Sequence, residues 1–158
     1  MLIWTAGVKG SCLADIIEGI ELSKRNCVPV DETLRITVAK NIFAAGDVAT
    51  TLDPKTKNPV PMTAQKALDE GKYIARYLLI LIKDPKTALA PYRAKPSSFI
   101  IPIAGKYAVL ETPYLKISGI FIWALKYFVI LKYLLSIVSV PNAFKIVMRE
   151  VRLYAKTD

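Results

Sequence analysis

Apolar and small residues recur at helical spacing between Pro61 and Pro85, a stretch that contains no internal proline. They fall every three or four positions, at Ala64, Ala67, Leu68, Gly71, Ile74, Ala75, Leu78 and Ile82. This spacing predicts a helix with one buried face. Because Ala64, Ala67 and Gly71 in the first half of that face are small, we expect another element to pack very closely against it. The larger aliphatic residues of the second half are typical of ordinary core.

Shorter apolar runs predict strands at four places: residues 2–5, 42–46, 98–101 and 107–110. The second run ends at the pair Gly46-Asp47. We expect the first two strands to be neighbours in a complete parallel sheet, whereas in this chain alone they would lack partners. Residues 28–36 predict a short hairpin whose turn contains Asp31 and Glu32. Three prolines between residues 50 and 61 indicate a surface loop.

Residues 117–140 form the longest apolar run, with no acidic residue and only two basic ones, Lys126 and Lys132. The run exceeds the roughly 20 residues that span a bilayer, but each lysine would cost roughly 2.5–3.5 kcal/mol at the bilayer centre. In a helix, Lys132, Ser136 and Ser139 share one side with Lys126 beside them, which favours a helix lying in the membrane interface. A buried core or dimer helix and a spanning helix are the alternatives.

The net charge of +9 is concentrated in the second half of the chain. Residues 1–71 carry eight basic and nine acidic side chains, whereas residues 72–158 carry fourteen basic and four acidic ones. A last helix, predicted from about residue 143 to residue 154, is basic on one side. This asymmetry points to an anionic partner, either a membrane surface or nucleic acid, although a solvated basic face would explain it as well. Nucleic acid is not expected, because the aromatic residues lie in apolar runs rather than among the basic ones.

The residue types present exclude several kinds of site. The chain has no histidine, which excludes Ser-His and Cys-His catalysis and any imidazole metal ligand. Its two cysteines, Cys12 and Cys27, form no CxxC pair, so neither a thiolate metal site nor a disulfide framework is predicted. We expect both to be buried or idle thiols.

Four segments occur in an informative order: residues 3–9, residues 30–35, residues 41–49 with Ala45-Gly46-Asp47, and Thr63-Ala64-Gln65-Lys66-Ala67. In this order they resemble the C-terminal part of type II NADH:quinone dehydrogenases, within the FAD-dependent pyridine nucleotide-disulfide oxidoreductase superfamily. Residues 105–108 and 118–123 are similar to that family's C-terminal membrane-binding region. The family carries two Gly-rich GxGxxG fingerprints, one for FAD and one for NADH, and these 158 residues contain neither.

The resemblance implies an α/β fragment of a two-dinucleotide-domain flavoprotein, followed by an α+β C-terminal membrane-binding region. Residues 1–83 would be the C-terminal piece of the FAD-binding domain, and residues 84–158 a membrane-surface region with amphipathic helices. The implied function is that of an oxidoreductase of electron transport, which passes electrons from NADH through FAD to a membrane quinone. This chain would hold only part of the FAD site and no NADH site, and it is expected to be inactive alone.

The resemblance also implies partners. These are a membrane surface, a quinone, and either an N-terminal chain that binds FAD and NADH or a second copy of this chain. The implied location is peripheral, on the cytoplasmic face of a membrane. The alternative function is a non-catalytic membrane-surface module or a subunit that needs an N-terminal partner chain.

Individual residues acquire roles by the same resemblance. Asp47 would accept hydrogen bonds from the ribityl hydroxyls of FAD, with Gly46 allowing the cofactor to approach the backbone; a simple turn cap is the alternative. Thr63, Ala64 and Gln65 would place a helix N-terminus, with its free N–H groups and partial positive charge, at the flavin pyrimidine edge. Close helix packing without a cofactor is the other interpretation of that segment.

Two further positions concern the electron acceptor and the flavin. The family's quinone motif is Ala-Gln-x-Ala-x-Gln, which Ala64, Gln65 and Ala67 match, and Gln65 is therefore the candidate catalytic residue. Asp69 stands where the second Gln belongs, and an acid there changes the polarity around a quinone headgroup. Lys106 is a candidate positive charge near the flavin, or else a solvated hairpin lysine.

Overall fold

The computed structural model describes residues 1–3, 7–11 and 16–155. The chain divides into two compact units, unit 1 from Met1 to Lys95 and unit 2 from Pro96 onward. The predicted strand over residues 2–5 extends into residues 4–6, which lie outside the described residues, and residues 1–3 are not part of a strand.

Unit 1 contains two small two-stranded sheets. Strand β1 (Val28–Pro29) pairs in parallel with β4 (Ala49–Thr50). Strand β2 (Arg35–Ile36) pairs antiparallel with β3 (Ala39–Phe43). The predicted hairpin is present as a bridge between Val30 and Ile36. The strand expected over residues 42–46 lies in part at β3, which pairs antiparallel with β2. Its expected pairing with residues 2–5 in a complete parallel sheet involves positions outside the described residues and stays a prediction.

The Asp31 turn reverses the chain between Val30 and β2, and a separate turn at residues 37–38 reverses it again between β2 and β3. The Asp31 Oδ1 atom accepts hydrogen bonds from the backbone N–H groups of Thr33 at 2.7 Å and Arg35 at 3.0 Å. These bonds reverse the chain before β2, and the backbone N–H of Ala44 then donates to the carbonyl of Leu34 at 3.1 Å. An Asx-type turn of this kind is a local structure that the side chain itself stabilises.

Helix α1 (Ala64–Lys83) begins and ends where the sequence predicts. Its buried face, however, is formed by Lys66, Glu70 and Tyr77. The predicted face is partly or largely exposed within unit 1, with Ile82 at 79% exposure. The predicted burial was therefore wrong in this structure, because a charged pair that is fully hydrogen-bonded and a tyrosine take the side facing the sheets.

Four aromatic rings pack the segment that follows α1 against the rest of unit 1. Tyr73 packs against both Tyr77 and Tyr92, and Tyr77 packs edge-on against Phe43. The Arg35 guanidinium lies 5.4 Å and 5.5 Å from the ring centroids of Phe43 and Tyr77, within cation–π range.

Hydrogen bonds strengthen this attachment. The Tyr73 hydroxyl donates to the Ala90 carbonyl at 2.7 Å, and the Tyr92 N–H donates to the Glu32 carbonyl at 2.7 Å. These contacts belong to unit 1, which extends to Lys95. The expected functional division between residues 83 and 84 stays a prediction.

Unit 2 is an antiparallel three-stranded sheet followed by two helices. The strands are β5 (Phe99–Ala104), β6 (Tyr107–Glu111) and β7 (Lys116–Gly119), in spatial order β5-β6-β7. The helices are α2 (Ile120–Leu134) and α3 (Val140–Ala155). The two strands predicted around Gly105 are confirmed.

The long apolar run is divided between a strand and two helices. Residues 117–119 complete β7, and Gly119 turns the chain into α2 with a φ of 131°, which favours glycine. Residues 135–139 connect α2 to α3, and Pro141 lies in the first turn of α3, where its missing N–H is not needed. The expected single helix over residues 117–140 is therefore wrong.

Helix α2 covers the sheet with one side only. Its buried residues are Ile122 and Tyr127, and the small residue Ala108 of β6 is fully buried. Helix α3 buries Ala143 and Val147. Within the described ranges, the structure contains no helix with both the length and the apolar character that crossing a membrane requires.

The aromatic attachment makes the stability of unit 1 sensitive to alkaline pH. Burial raises the pKa of Tyr92 from 10.0 to about 12, and the negative charges of Glu70 and Asp69 add to the shift. Burial also raises the pKa of Tyr73, with Tyr77 as the next cause. Both hydroxyls therefore keep their protons to higher pH in the folded state than in the unfolded state.

We predict that the free energy of unfolding falls as the pH rises from about 10 to about 12, because the unfolded state then binds fewer protons than the folded state. Tyr92→Phe should make this fall shallower. Urea unfolding followed by circular dichroism at several pH values measures the slope. An unchanged slope in Tyr92→Phe would show that Tyr92 does not carry the effect.

Candidate functional site

The chain makes a tight corner between β3 and β4. Residues Gly46–Val48 form a single 3-10 turn, and Gly46 is buried with a φ of 72°, in the left-handed region that favours glycine. A Cβ atom at Gly46 would lie 3.4 Å from the Cβ of Ala67, so α1 passes close to this corner. The side of the corner that carries Asp47 is exposed.

Glu70 binds the corner from the α1 side. Its Oε2 atom accepts a hydrogen bond from the backbone N–H of Gly46 at 2.7 Å. Its Oε1 atom accepts a hydrogen bond from the Thr51 hydroxyl at 2.6 Å. One carboxylate thus holds both ends of the segment 46–51, and the side chain of Glu70 is completely buried.

Lys66 binds the same segment through its carbonyl groups. Its ammonium Nζ donates to the carbonyl of Gly46 at 2.9 Å and to the carbonyl of Ala49 at 3.1 Å. It also forms an ion pair with Glu70, with 3.3 Å between Nζ and Oε1, and its side chain is only 3% exposed. Because burying two charges is costly, such a pair is tolerated when further hydrogen bonds satisfy it, as they do here.

The first turn of α1 lies beside this corner. The Thr63 hydroxyl caps the helix by accepting a hydrogen bond from the Lys66 N–H at 3.1 Å. Ala64 and Gln65 are exposed, and their N–H groups have no carbonyl within the helix to donate to. These donors and the helix dipole make the start of α1 favourable for an electron-rich group.

A buried thiol lies beneath the corner. Cys27 is 1% exposed, and its Sγ donates to the carbonyl of Asp47 at 3.3 Å and to that of Arg25 at 3.3 Å. The expectation of a buried thiol is confirmed for Cys27. Cys12 lies outside the described residues.

The structure brings together five of the predicted site residues. Lys66 lies in the first turn of α1, which Thr63 caps, and its side chain binds the Gly46 carbonyl, so the corner and the start of the helix are adjacent. The five residues are Gly46, Asp47, Thr63, Ala64 and Gln65. Lys106 belongs to unit 2, where it is exposed in the turn between β5 and β6.

Sequence reasoning overlooked the residues that hold the site. Lys66 and Glu70 form an i,i+4 pair of opposite charge, a signal present in the sequence but typical of an exposed helix face. Asp69, the departure from the quinone motif, is half-buried, and its carboxylate lies 3.4 Å from the ammonium of Lys95. Among the described residues, no cluster of Cys, Asp and Glu suits a metal ion.

Parts of this chain are similar to known proteins. Residues 1–71 match the pyridine nucleotide-disulphide oxidoreductase family, whose members in general bind FAD. The type II NADH:quinone oxidoreductase of Haemophilus influenzae is 32% identical over 95 residues, which are 60% of this chain and 21% of the relative. The Staphylococcus haemolyticus protein of the same name is 36% identical over 74 residues, or 47% of this chain and 18% of the relative. The chain is similar to parts of these type II NADH:quinone oxidoreductases.

The match extends beyond unit 1. The type II NADH:quinone oxidoreductase of Staphylococcus aureus strain MSSA476 is 28% identical over 131 residues, which cover 75% of this chain. That alignment covers 32% of the relative, and the chain spans less than a third of the length of each of these three curated relatives.

We predict that Lys66→Met destabilises unit 1 by about 3–5 kcal/mol, or leaves it unfolded, because the buried Glu70 carboxylate loses its partner. Lys66→Met combined with Glu70→Gln should recover much of this loss, since no bare charge is then buried. Urea unfolding followed by circular dichroism gives the free energies.

The exposed Lys72 of the same helix provides the matched control. Lys72→Met should change the free energy of unfolding by less than about 0.5 kcal/mol. A Lys66→Met variant as stable as Lys72→Met would contradict the prediction.

Proposed function

We propose that the Gly46–Asp47 corner and the first turn of α1 form part of the FAD site of an oxidoreductase that passes electrons from NADH to a quinone. The observation that carries this proposal is the exposure of Asp47, Ala64 and Gln65 on two segments that Lys66 joins through its hydrogen bonds to Thr63 and Gly46. All three residues lie within the matched residues 1–71. The similarity to type II NADH:quinone oxidoreductases supports the proposal, because the name of these relatives states the reaction.

The residues present fit the chemistry of a flavin. The exposed Asp47 carboxylate is an acceptor for ribityl hydroxyls, and Gly46 brings the backbone close to that position. The N–H groups of Ala64 and Gln65 are donors for the carbonyl and nitrogen acceptors of the pyrimidine edge. The positive end of the α1 dipole stabilises negative charge on a reduced flavin. Bound there, FAD supplies the redox chemistry.

Gln65 is our candidate for contact with the quinone headgroup. Its side chain is exposed at the start of α1, where an amide can hydrogen-bond a quinone carbonyl. Asp69 takes the position of the second Gln of the motif, and the nearby Lys95 offsets part of its negative charge. We propose Lys106 as an additional positive charge for the flavin.

The remaining binding elements are proposed to come from outside these 158 residues. FAD and NADH sites of this type need Gly-rich fingerprints that cradle the phosphates, and none occurs in this sequence. We propose that they lie on additional sequence of the same polypeptide or on an N-terminal partner chain, since a second copy of these residues would contain no fingerprint either.

We predict that Asp47→Ala weakens FAD binding about tenfold or more, since a hydrogen bond to a charged group contributes about 1.5–3 kcal/mol. Titration of FAD with the full chain, followed by flavin fluorescence, measures the dissociation constant. Glu21→Ala, which removes an exposed acid elsewhere in unit 1, should leave it unchanged. Equal FAD affinity of Asp47→Ala and the unaltered chain would contradict the proposal.

A second candidate function is a membrane-surface module, and the exposed side of α3 favours it. Lys145, Arg149 and Arg152 line a cavity there together with Met148 and Leu153. Basic and apolar side chains on one helix surface suit anionic headgroups and the adjoining acyl chains. On α2, Phe121 and Phe128 are 85% and 65% exposed, which adds apolar surface to the same unit. We propose a peripheral location on the cytoplasmic face of a membrane.

We predict that Lys145→Glu combined with Arg149→Glu reduces binding to vesicles that contain phosphatidylserine. Each basic residue near such a surface contributes about 1 kcal/mol, so a double charge reversal should lower the affinity by at least about 30-fold. Vesicle sedimentation measures it. Lys72→Glu, in unit 1, is the control, and equal sedimentation of all three proteins would argue against this surface.

A further inference from the structure

The contacts of Lys66 and Glu70 converge on one short segment. Glu70 accepts from the Gly46 N–H and the Thr51 hydroxyl, and Lys66 donates to the carbonyls of Gly46 and Ala49. Both polar groups of the Gly46 backbone are therefore bound by the pair. Exposed i,i+4 pairs on helices bind each other and water, whereas this buried pair has its donors and acceptors directed at a loop.

These contacts set the conformation of the corner on the side away from Asp47. Gly46 has a left-handed φ and begins the 3-10 turn, and its N–H and carbonyl both bind groups in the interior. Among the described residues, Glu70 accepts from the N–H, and Lys66 and the Ala49 N–H donate to the carbonyl. Because buried backbone groups are costly without partners, the corner keeps this shape only while the pair is in place.

We infer that Lys66 and Glu70 are positioning residues for the candidate flavin site: they hold the corner so that Asp47 faces outward beside the start of α1. The inference rests on the proposed function for its effect on FAD, but its effect on the corner is independent of any cofactor. The charges act through their arrangement, with the acceptor at residue 70 and the donor at residue 66.

Cys27 provides a reporter of the corner that needs no cofactor. Its thiol is buried and donates to the Asp47 carbonyl, so opening of the corner exposes it. Cys12→Ser leaves Cys27 as the one thiol of the chain. The rate of its reaction with dithionitrobenzoate in this background then measures opening, while FAD titration measures the outward face of the same corner.

Two double variants separate positioning from charge burial. Lys66→Met with Glu70→Gln buries no charge and keeps an acceptor for the Gly46 N–H, but it loses the donor for the Gly46 and Ala49 carbonyls. Lys66→Glu with Glu70→Lys keeps the ion pair but faces a donor toward the Gly46 N–H and an acceptor toward its carbonyl. Tyr77→Leu is the control, because Tyr77 is buried on the same side of α1 and contacts Phe43 rather than the corner.

In both double variants we expect Cys27 to react about tenfold faster and FAD to bind about tenfold more weakly, under conditions where circular dichroism shows the chain folded. Tyr77→Leu, compared at equal stability, should change neither quantity. If a double variant does not fold, Thr51→Val takes its place, since it removes only the hydrogen bond to Glu70, and about a threefold acceleration is expected.

Three results would overturn the inference. One is an unchanged Cys27 rate in the folded variants, the second is full recovery of the original rate by the charge swap, and the third is an equal acceleration in Tyr77→Leu. If Asp47→Ala leaves FAD binding unchanged, the proposed function fails, and the Cys27 rates alone decide the role of the pair.

Discussion

A buried ion pair between Lys66 and Glu70 joins helix α1 to the corner between β3 and β4. Its two charges are almost completely removed from water, and this is tolerable because backbone and hydroxyl groups of residues 46–51 satisfy them. The dependence is mutual. Without the pair, the inward groups of Gly46 have too few partners, and without the corner, the pair is an expensive burial of charge.

This arrangement determines what α1 presents to its surroundings. Since its polar pair and Tyr77 face the sheets, the aliphatic residues of the helix lie on other sides and are substantially exposed in unit 1. The first turn, by contrast, is fixed tightly: Thr63 caps it and Lys66 connects it to Gly46. The rigid end of α1 is therefore the end that carries the candidate binding groups, as preorganised sites require.

Unit 2 combines a small core with large exposed apolar side chains. Ala108, Ile122, Tyr127 and Ala143 supply the buried contacts between the sheet and its helices, and α2 turns one side toward them. The other side of α2 carries exposed phenylalanines, and α3 carries a basic surface with apolar residues beside it. These surfaces are what support the proposed attachment to an anionic membrane surface.

The sequence by itself determined the local elements, because their causes lie within a few residues. Proline positions and the helical spacing bounded α1, the Asp31 turn defined a chain reversal, and two apolar runs on either side of Gly105 predicted β5 and β6. The order of the motifs also indicated a resemblance to type II NADH:quinone dehydrogenases and pointed to the segments that meet at the corner.

Tertiary structure decided which sides of those elements are buried. An i,i+4 pair such as Lys66 and Glu70 is compatible with water or with a core, and only the closeness of residues 46–51 shows that it is buried here. Likewise, the apolar run of residues 117–140 is compatible with a single helix by its pattern alone. In the structure, its first three residues belong to β7, which pairs antiparallel with β6. Burial depends on contacts between residues far apart in the chain, and the local sequence pattern carries no information about those contacts.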